Sequence, residues 1–304
     1  MKPAALAPPA LTGIALTLGA VAFFAALDTV TKLVLGSVPL LMALWFRYFL
    51  QALFTTAVLA PRRGRSIWRT RSPWLQVLRG LLLVSSSLGA FIALQHIAVA
   101  EFTAIVSLVP LLITVLAALL FKEAVSRLRW LLIIGGFSGA LLIIRPGSEV
   151  FTGVALLPLG VLVCNSIFQL LTSRMVRTEE PLTMHLYTGW VGTLVSSVAL
   201  PWSWAALSAW QWGLMVLMGL SASIGHLLLI LAFERTAVAT IAPYMYAQIA
   251  FAVIGGWLVF SHTPDGGSLI GMCVIGACGA GGAWLSLRQS RASRAAAQAA
   301  FEQV

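Results

Sequence analysis

The sequence predicts an all-α polytopic membrane protein, with ten transmembrane helices arranged as two inverted five-helix repeats around a central cavity. Three observations support this fold class. Of the 304 residues, 60% are hydrophobic and only 9% are charged, whereas soluble domains carry about 25% charged residues. Apolar runs long enough to cross a bilayer recur along the chain. The two halves of the chain also resemble each other at a fixed spacing.

Ten apolar runs each supply roughly the 20 residues that a helix needs to cross a bilayer. They are 11–34, 40–60, 74–96, 99–120, 129–145, 152–173, 183–202, 210–232, 236–260 and 267–287. The first run resembles a signal peptide, because Lys2 precedes it and small residues lie within it. It is too long for that role, however, and it pairs with the sixth run in the repeat. We therefore expect it to be the first membrane span.

The internal repeat has an offset of 139 residues. Residues 93–100 are echoed by residues 232–239, and Phe121 recurs as Phe260. Each copy holds five runs, and because five is odd the second copy must be upside down in the membrane. We expect a first repeat over residues 1–147, a second repeat over 148–288 and a cytoplasmic tail over 289–304. Inverted repeats are the architecture of transporters that work by alternating access.

The basic residues predict how the chain is oriented. Fifteen of the 19 Lys and Arg residues fall in segments that share one side of the membrane with the N-terminus, and cytoplasmic loops are rich in these residues. We therefore expect both termini in the cytoplasm. The net charge of +10 does not indicate nucleic-acid binding, because the basic residues lie in short loops between apolar runs.

Several other chemistries find no support in the sequence. Cys164, Cys273 and Cys278 lie inside apolar runs, as small buried hydrophobic residues do, and not in a disulfide or metal-site pattern. No GxxxxGK[ST] loop occurs, so an ATP-driven pump is not predicted. No nucleophile with a partnering base is evident. We expect no enzyme activity, no metal and no cofactor.

Three charged residues near one end of the first two spans form a candidate gate or ion pair. Asp28 and Lys32 lie four residues apart on one helical face, and Arg47 lies at a similar depth in the antiparallel second span. A charge within a span costs roughly 2.5–3.5 kcal/mol, so each needs a partner or water. Two interpretations stay open: a fixed Asp28–Arg47 or Asp28–Lys32 bridge, or a substrate contact at the outer mouth. Asp28 is also the candidate for coupling transport to protons.

Polar and aromatic side chains predict the lining of the central cavity. Amide, imidazole and phenol groups within spans favour a wet cavity, whereas small hydroxyl groups such as those of Thr103, Ser107, Thr114 and Ser223 favour helix packing. Pro110 and Pro243 are candidates to kink spans four and nine. The predicted lining residues are Phe24, Asp28, Arg79, Ser86, Ser87, Phe91, Pro110, Asn165, Phe168, Gln169, His226, Tyr244 and Gln248.

Glycines are concentrated in the fifth and tenth spans. Small residues let helices approach closely in lipid. We favour the interpretation that these glycines pack the repeats against each other, and a dimer interface is the alternative. We therefore expect a monomer. The glycines are Gly135, Gly136, Gly139, Gly271, Gly276, Gly279, Gly281 and Gly282.

Residues 93–147 resemble the repeat unit of the EamA-type branch of the drug/metabolite transporter superfamily. The resemblance is carried by Ala98-Val99-Ala100, Pro110-Leu111-Leu112, Phe121-Lys122-Glu123, Gly135-Gly136 and Arg145-Pro146-Gly147. It implies a cavity lined by spans 1, 3, 4, 6, 8 and 9, peripheral spans 5 and 10, and movement of small metabolites across a bacterial inner (plasma) membrane. The second half departs from the family pattern at Ile249 and His262.

These observations predict a secondary transporter with a small-molecule substrate. Uncharged polar groups mixed with phenylalanines suit a zwitterion that has an apolar side chain. By resemblance, we expect export of neutral or aromatic amino acids and related compounds by alternating access. The alternative is uptake of an adenosylmethionine- or riboflavin-like metabolite, because the opening with Asp28, Lys32 and Arg47 resembles one bacterial subgroup of the branch. A channel and an intramembrane enzyme are the alternatives from other classes.

Overall fold

The computed structural model describes residues 9–121, 126–146 and 153–301, and within these ranges the chain forms helices and no β-strand. Lys2, Lys122, Glu123 and Gly147, which contribute to the predictions above, lie outside the described residues. Short 3₁₀ turns occur at Gly64–Trp68, Gly153–Leu156 and Leu200–Trp202. The helices are α1 (Pro9–Leu35), α2 (Leu40–Arg63), α3 (Pro73–His96), α4 (Val99–Val106), α5 (Val109–Phe121), α6 (Arg127–Ile144), α7 (Leu157–Met175), α8 (Pro181–Ser197), α9 (Ala209–Arg235), α10 (Val238–Met245), α11 (Ala247–Phe260) and α12 (Gly266–Phe301).

Across the ranges given above, nine segments are long and apolar enough to cross a membrane. The α4–α5 and α10–α11 pairs each form one of them. A further helix, α8, has 17 residues and packs against α2 and α3 in the same bundle. Helices suit this role because they satisfy their backbone hydrogen bonds internally, where lipid offers none. We call the side of the bundle at which α1 begins the start face, and the side at which α1 ends the far face.

The helix boundaries repeat with the offset that the sequence predicts. Helix α4 covers Val99–Val106 and α10 covers Val238–Met245, so both the first and the last residues of the two helices differ by 139. The same offset separates the ends of α3 and α9, at His96 and Arg235. The two halves are therefore built from matching elements.

Helix packing has the same exchange symmetry. Helix α1 packs against α9, and its counterpart α7 packs against α3. Likewise α2 packs against α9, and α8 packs against α3. Two helices, α2 and α6, pack against their own counterparts α8 and α12. This pattern is that of two inverted five-span units related by an approximate two-fold axis.

Spans four and nine are both interrupted near their middles. Helix α4 gives way to α5 at Ser107 and Leu108, and α10 gives way to α11 at Tyr246. Pro110 is the second residue of α5, and because it has no N–H it cannot continue the hydrogen-bond ladder of α4. Pro243 stands on the opposite side of its break, inside α10. The breaks align between the repeats although the prolines do not.

Helices α6 and α12 pack backbone to backbone through glycines. A Cβ atom added at Gly271 would lie 2.6 Å from the carbonyl oxygen of Gly139, and one added at Gly139 would lie 2.8 Å from the carbonyl oxygen of Gly271. Gly279 lies directly against the ring of Tyr246, whereas Gly276 has open space around it. Gly139, Gly271 and Gly279 therefore serve packing, and the monomeric state remains a prediction.

Candidate functional site

A cavity of about 90 Å³ lies between the two repeats. Spans 1, 3, 4, 6, 8 and 9 line it, as the resemblance implies, and Arg47 adds a contribution from span 2. The predicted residues found in its wall are Phe24, Asp28, Ser86, Ser87, Phe91, Pro110, Asn165, Gln169, His226 and Gln248.

The sequence reasoning missed part of the wall. Phe102 lies in the cavity wall, and Ser107, which was expected to pack helices, lines the cavity as well. Phe102 and Val106 lie four residues apart within α4, so they share a helical face. The break at Ser107 and Leu108 separates them from Pro110, so the position of Pro110 does not identify Phe102.

Three predicted lining residues lie elsewhere. Arg79 is fully buried in the half of α3 nearer the start face, and Phe168 lies behind the wall with its ring against His226. Tyr244 is 36% exposed on the surface of the bundle. The prediction for Tyr244 assumed an unbroken helix that places it on the same face as Gln248, and the break at Tyr246 removes that register.

The predicted ion pairs of Asp28 are not formed. Its Oδ2 atom accepts hydrogen bonds from Thr103 Oγ1 at 3.0 Å and from Gln248 Nε2 at 3.4 Å. Lys32 instead donates to the carbonyl oxygens of Leu94 and Ile97, at 2.8 and 2.7 Å. The physical reason is that the last carbonyls of α3 lack intrahelical donors and attract a cation. Within the described ranges, Asp28 therefore pairs with no cation.

Arg47 belongs to a separate polar cluster in the cavity wall. Its guanidinium donates to Ser87 Oγ, to Tyr48 OH at 3.4 Å and to His226 Nε2 at 3.1 Å. The Tyr48 hydroxyl lies 2.7 Å from Ser87 Oγ. Rings of Phe24 and Phe168 flank His226, with centroid distances of 4.8 and 5.8 Å. The cluster fixes the guanidinium with neutral groups and leaves its charge without a carboxylate among the described residues.

A second histidine, His185, lies outside the cavity and was not singled out from the sequence. Gln51 Nε2 lies 3.3 Å from His185 Nδ1 and donates to its carbonyl oxygen at 3.0 Å. His185 Nε2 lies 3.0 Å from Ser223 Oγ. This buried group joins α2, α8 and α9, which is the packing role expected for Ser223.

The arrangement can hold one ligand that carries both signs of charge. Asp28 presents a carboxylate and Arg47 presents a guanidinium to the same space, and each is held by neutral partners. Phe24, Phe91 and Phe102 add apolar rings to the wall. Throughout the part of the chain that the structure covers, no group of His, Cys, Asp and Glu residues could bind a metal ion.

Comparisons with known proteins find similarity to transporters. Residues 11–145 match the EamA-like transporter family. The S-adenosylmethionine uptake transporter of Rickettsia conorii is 26% identical over 268 residues, which cover 87% of this chain and 90% of the relative. The riboflavin transporter of Rhizobium johnstonii is 28% identical over 242 residues, 78% of each chain. The pseudopaline exporter of Pseudomonas aeruginosa is 26% identical over 274 residues, 88% of this chain and 94% of the relative.

A solved crystal structure shares the fold with a TM-score of 0.65 and 17% identity, covering 92% of this chain and 99% of that chain. The apolar helices indicate a multi-pass membrane protein, and the relatives are named as transporters of small metabolites. The chain therefore resembles the EamA-type branch of the drug/metabolite transporter superfamily.

Proposed function

We propose that the chain is a secondary transporter of small zwitterionic metabolites in which an α-amino-acid group is attached to an aromatic or apolar part. One observation carries this proposal: Asp28 and Arg47 line the same cavity and form no ion pair with each other. A substrate ammonium or sulfonium group would complement Asp28, and a substrate carboxylate would complement the guanidinium of Arg47.

Two candidates share this chemistry. The first is export of neutral or aromatic amino acids across a bacterial inner membrane, which follows from the resemblance and from the phenylalanines of the wall. The second is uptake of an adenosylmethionine-like compound. The second has the support of the Rickettsia relative, which is named for S-adenosylmethionine uptake and covers most of this chain. A riboflavin-like substrate would use the rings and amides but would leave both charges unmatched.

The transport cycle is alternating access, with both termini in the cytoplasm. The support is the exchange symmetry of the helix packing, because two matching halves can expose a cavity between them to either side in turn. Asp28 is the carboxylate that exchanges a proton in a coupled cycle, since it lies in the cavity and no cation pairs with it in the described ranges. An imposed pH gradient should then accelerate flux in the wild type and not in Asp28→Asn.

The test is counterflow in proteoliposomes with labelled phenylalanine, leucine, S-adenosylmethionine and riboflavin. We expect saturable flux and trans-stimulation for at least one zwitterion, and neither for the corresponding methyl ester. The control is Cys273→Ser, because Cys273 is exposed and lies outside the cavity wall. Flux that does not saturate would identify a channel, and saturable flux of riboflavin alone would overturn the zwitterion proposal.

A further inference from the structure

A polar contact between α3 and α7 lies on the start-face side of the cavity. It consists of Thr70, Gln76, Arg79, Thr172 and Glu179, and we call it the α3–α7 seam. Gln76, Arg79 and Thr172 are 0 to 1% exposed and Glu179 is 8% exposed. Helices in lipid can pack with small and apolar side chains, so two full charges within a closed contact need an explanation.

The seam is one continuous chain of hydrogen bonds. Thr70 Oγ1 donates to Glu179 Oε2 at 2.8 Å and accepts from Gln76 Nε2 at 3.4 Å. Gln76 Oε1 in turn accepts from Arg79 Nη1 at 2.9 Å, and Arg79 Nε donates to Thr172 Oγ1 at 2.9 Å. The carboxylate at the start face is thus connected to the buried guanidinium only through neutral groups.

Glu179 joins the two repeats at the start face. Its Oε1 atom accepts from the backbone N–H groups of Arg71 and Ser72, at 2.8 and 3.0 Å, directly before α3 begins. Its own N–H donates to the carbonyl oxygen of Met175, the last residue of α7. One carboxylate therefore ties the end of α7 to the positive end of the α3 dipole.

The inner end of the seam reaches the cavity wall. The guanidinium carbon of Arg79 lies 5.0 Å from the ring centroid of Phe168, and the same ring contacts His226, which lines the cavity. Arg79 Nη2 is buried and has no hydrogen-bond partner among the described residues. An incompletely satisfied guanidinium is therefore connected to the cavity wall through Phe168 and His226.

The fold does not require this polarity. At the offset of 139, the five seam positions correspond to Ala209, Met215, Met218, Leu33 and Leu40, which are all apolar. The last four belong to one hydrophobic cluster where α1 meets α9. The same contact is thus closed by apolar side chains at the far face and by a charged network at the start face.

We propose that the α3–α7 seam is the start-face gate of the cavity, and that Arg79 contacts the substrate carboxylate when the gate is open. Water can replace the hydrogen bonds of the seam on opening, so its polar groups stay satisfied in both states. The role of Arg79 rests on the zwitterionic substrate proposed above, whereas the role of the seam as a gate does not.

Thiol labelling tests the gate without any substrate. A single cysteine replaces Met175 in a background with Cys164→Ser, Cys273→Ser and Cys278→Ser, and a membrane-impermeant thiol reagent is added to spheroplasts or to inverted membrane vesicles. We expect Glu179→Gln to raise the labelling rate of this reporter from the start-face side at least threefold. Glu180→Gln, the same change at the adjacent residue, should leave the rate unchanged. Equal rates in the two variants, or a rise from the far-face side, would overturn the gate.

A second measurement tests Arg79 in the Glu179→Gln background with the Met175→Cys reporter. L-Phenylalanine or S-adenosylmethionine should slow labelling at least twofold, and the methyl ester of phenylalanine should not. Arg79→Gln should abolish this protection, and Arg79→Lys should keep part of it. Protection that survives Arg79→Gln overturns the carboxylate contact. Absence of protection by both acids, with the effect of Glu179→Gln intact, counts against the zwitterionic substrate and leaves the gate supported.

Discussion

Nε2 of His226 lies 3.1 Å from Nη2 of Arg47 in the wall of the cavity. A guanidinium carries donors only, so the histidine nitrogen must accept this hydrogen bond. The ring is therefore neutral, with its proton on Nδ1. His226 acts here as an acceptor that positions Arg47, and its ring packs against Phe24 in a tilted contact and against Phe168 in an edge contact.

Replacing His226 should test this acceptor role. His226→Leu leaves a guanidinium N–H without its partner, and we expect a loss of about 1.5–3 kcal/mol in the free energy of unfolding, as for hydrogen bonds to charged groups. His226→Gln retains an acceptor and should recover most of that loss. Thermal unfolding of the purified protein in detergent measures both values. Equal stability of the two variants would show that the bond contributes nothing.

Asp28→Asn should separate charge from hydrogen bonding. The asparagine oxygen can still accept from Thr103 and Gln248, so we expect a change in unfolding free energy below about 1 kcal/mol. Counterflow of a zwitterion should fall at least tenfold, because the complement to its cation is removed. Asp28→Ala removes the acceptor as well and should also destabilise the fold, by about 1–3 kcal/mol. Undiminished counterflow in Asp28→Asn would show that the charge of Asp28 does not contribute to substrate binding.

Two glycines of α12 provide a matched pair. A methyl group at Gly271 meets the backbone of Gly139 at 2.6 Å, whereas a methyl group at Gly276 meets nothing within 4 Å. Gly271→Ala should cost about 1–3 kcal/mol through overpacking. Gly276→Ala should be neutral or slightly stabilising, since alanine favours the helix. Unfolding of both variants in detergent gives the comparison, and a loss at position 276 as large as at 271 would contradict the backbone contact.

The connector before α12 should carry a measurable pH dependence. The pKa of Asp265 is lowered by the hydrogen bond from the Ser268 backbone N–H and by Arg145, whose guanidinium contacts the carboxylate. A lowered folded-state pKa stabilises the fold above the ordinary Asp value near 4, and this contribution is lost as the pH falls through the lowered value. The melting temperature of the wild type should exceed that of Asp265→Asn at pH 6, and the gap should close towards pH 3. A difference in melting temperature that does not change with pH would show that the charge of Asp265 is not its cause.

The fold followed from the sequence because each signal acts over many residues. Apolar runs near 20 residues and an offset of 139 specify spans and repeats without any knowledge of contacts. The packing role predicted for the glycines of spans five and ten holds for Gly139 and Gly271 and not for Gly276, because only the first two lie at a backbone contact. Ten of the 13 predicted lining residues lie in the cavity wall, because polar groups inside spans have few places to lie.

The remaining errors concern single side chains. Lys32 bonds to helix-end carbonyls rather than to Asp28 because a four-carbon chain reaches several acceptors, and depth alone does not choose among them. Tyr244 was misplaced because one break in a helix changes the register of every residue beyond it. Arg79 was expected in the cavity because burial of a charge suggests water, whereas Gln76, Thr172 and a carbonyl oxygen satisfy most of its donors.

The coincident boundaries of α4 and α10 have a thermodynamic consequence. Two identical halves exchanged by rotation would make the inward-open and outward-open conformers equal in free energy, and each would be occupied half of the time. Any preference for one conformer at rest must therefore come from places where paired residues differ. Glu179 opposite Leu40 is one such place. In a carrier that alternates between the two conformers, the unequal pairs and not the shared scaffold would set the resting equilibrium.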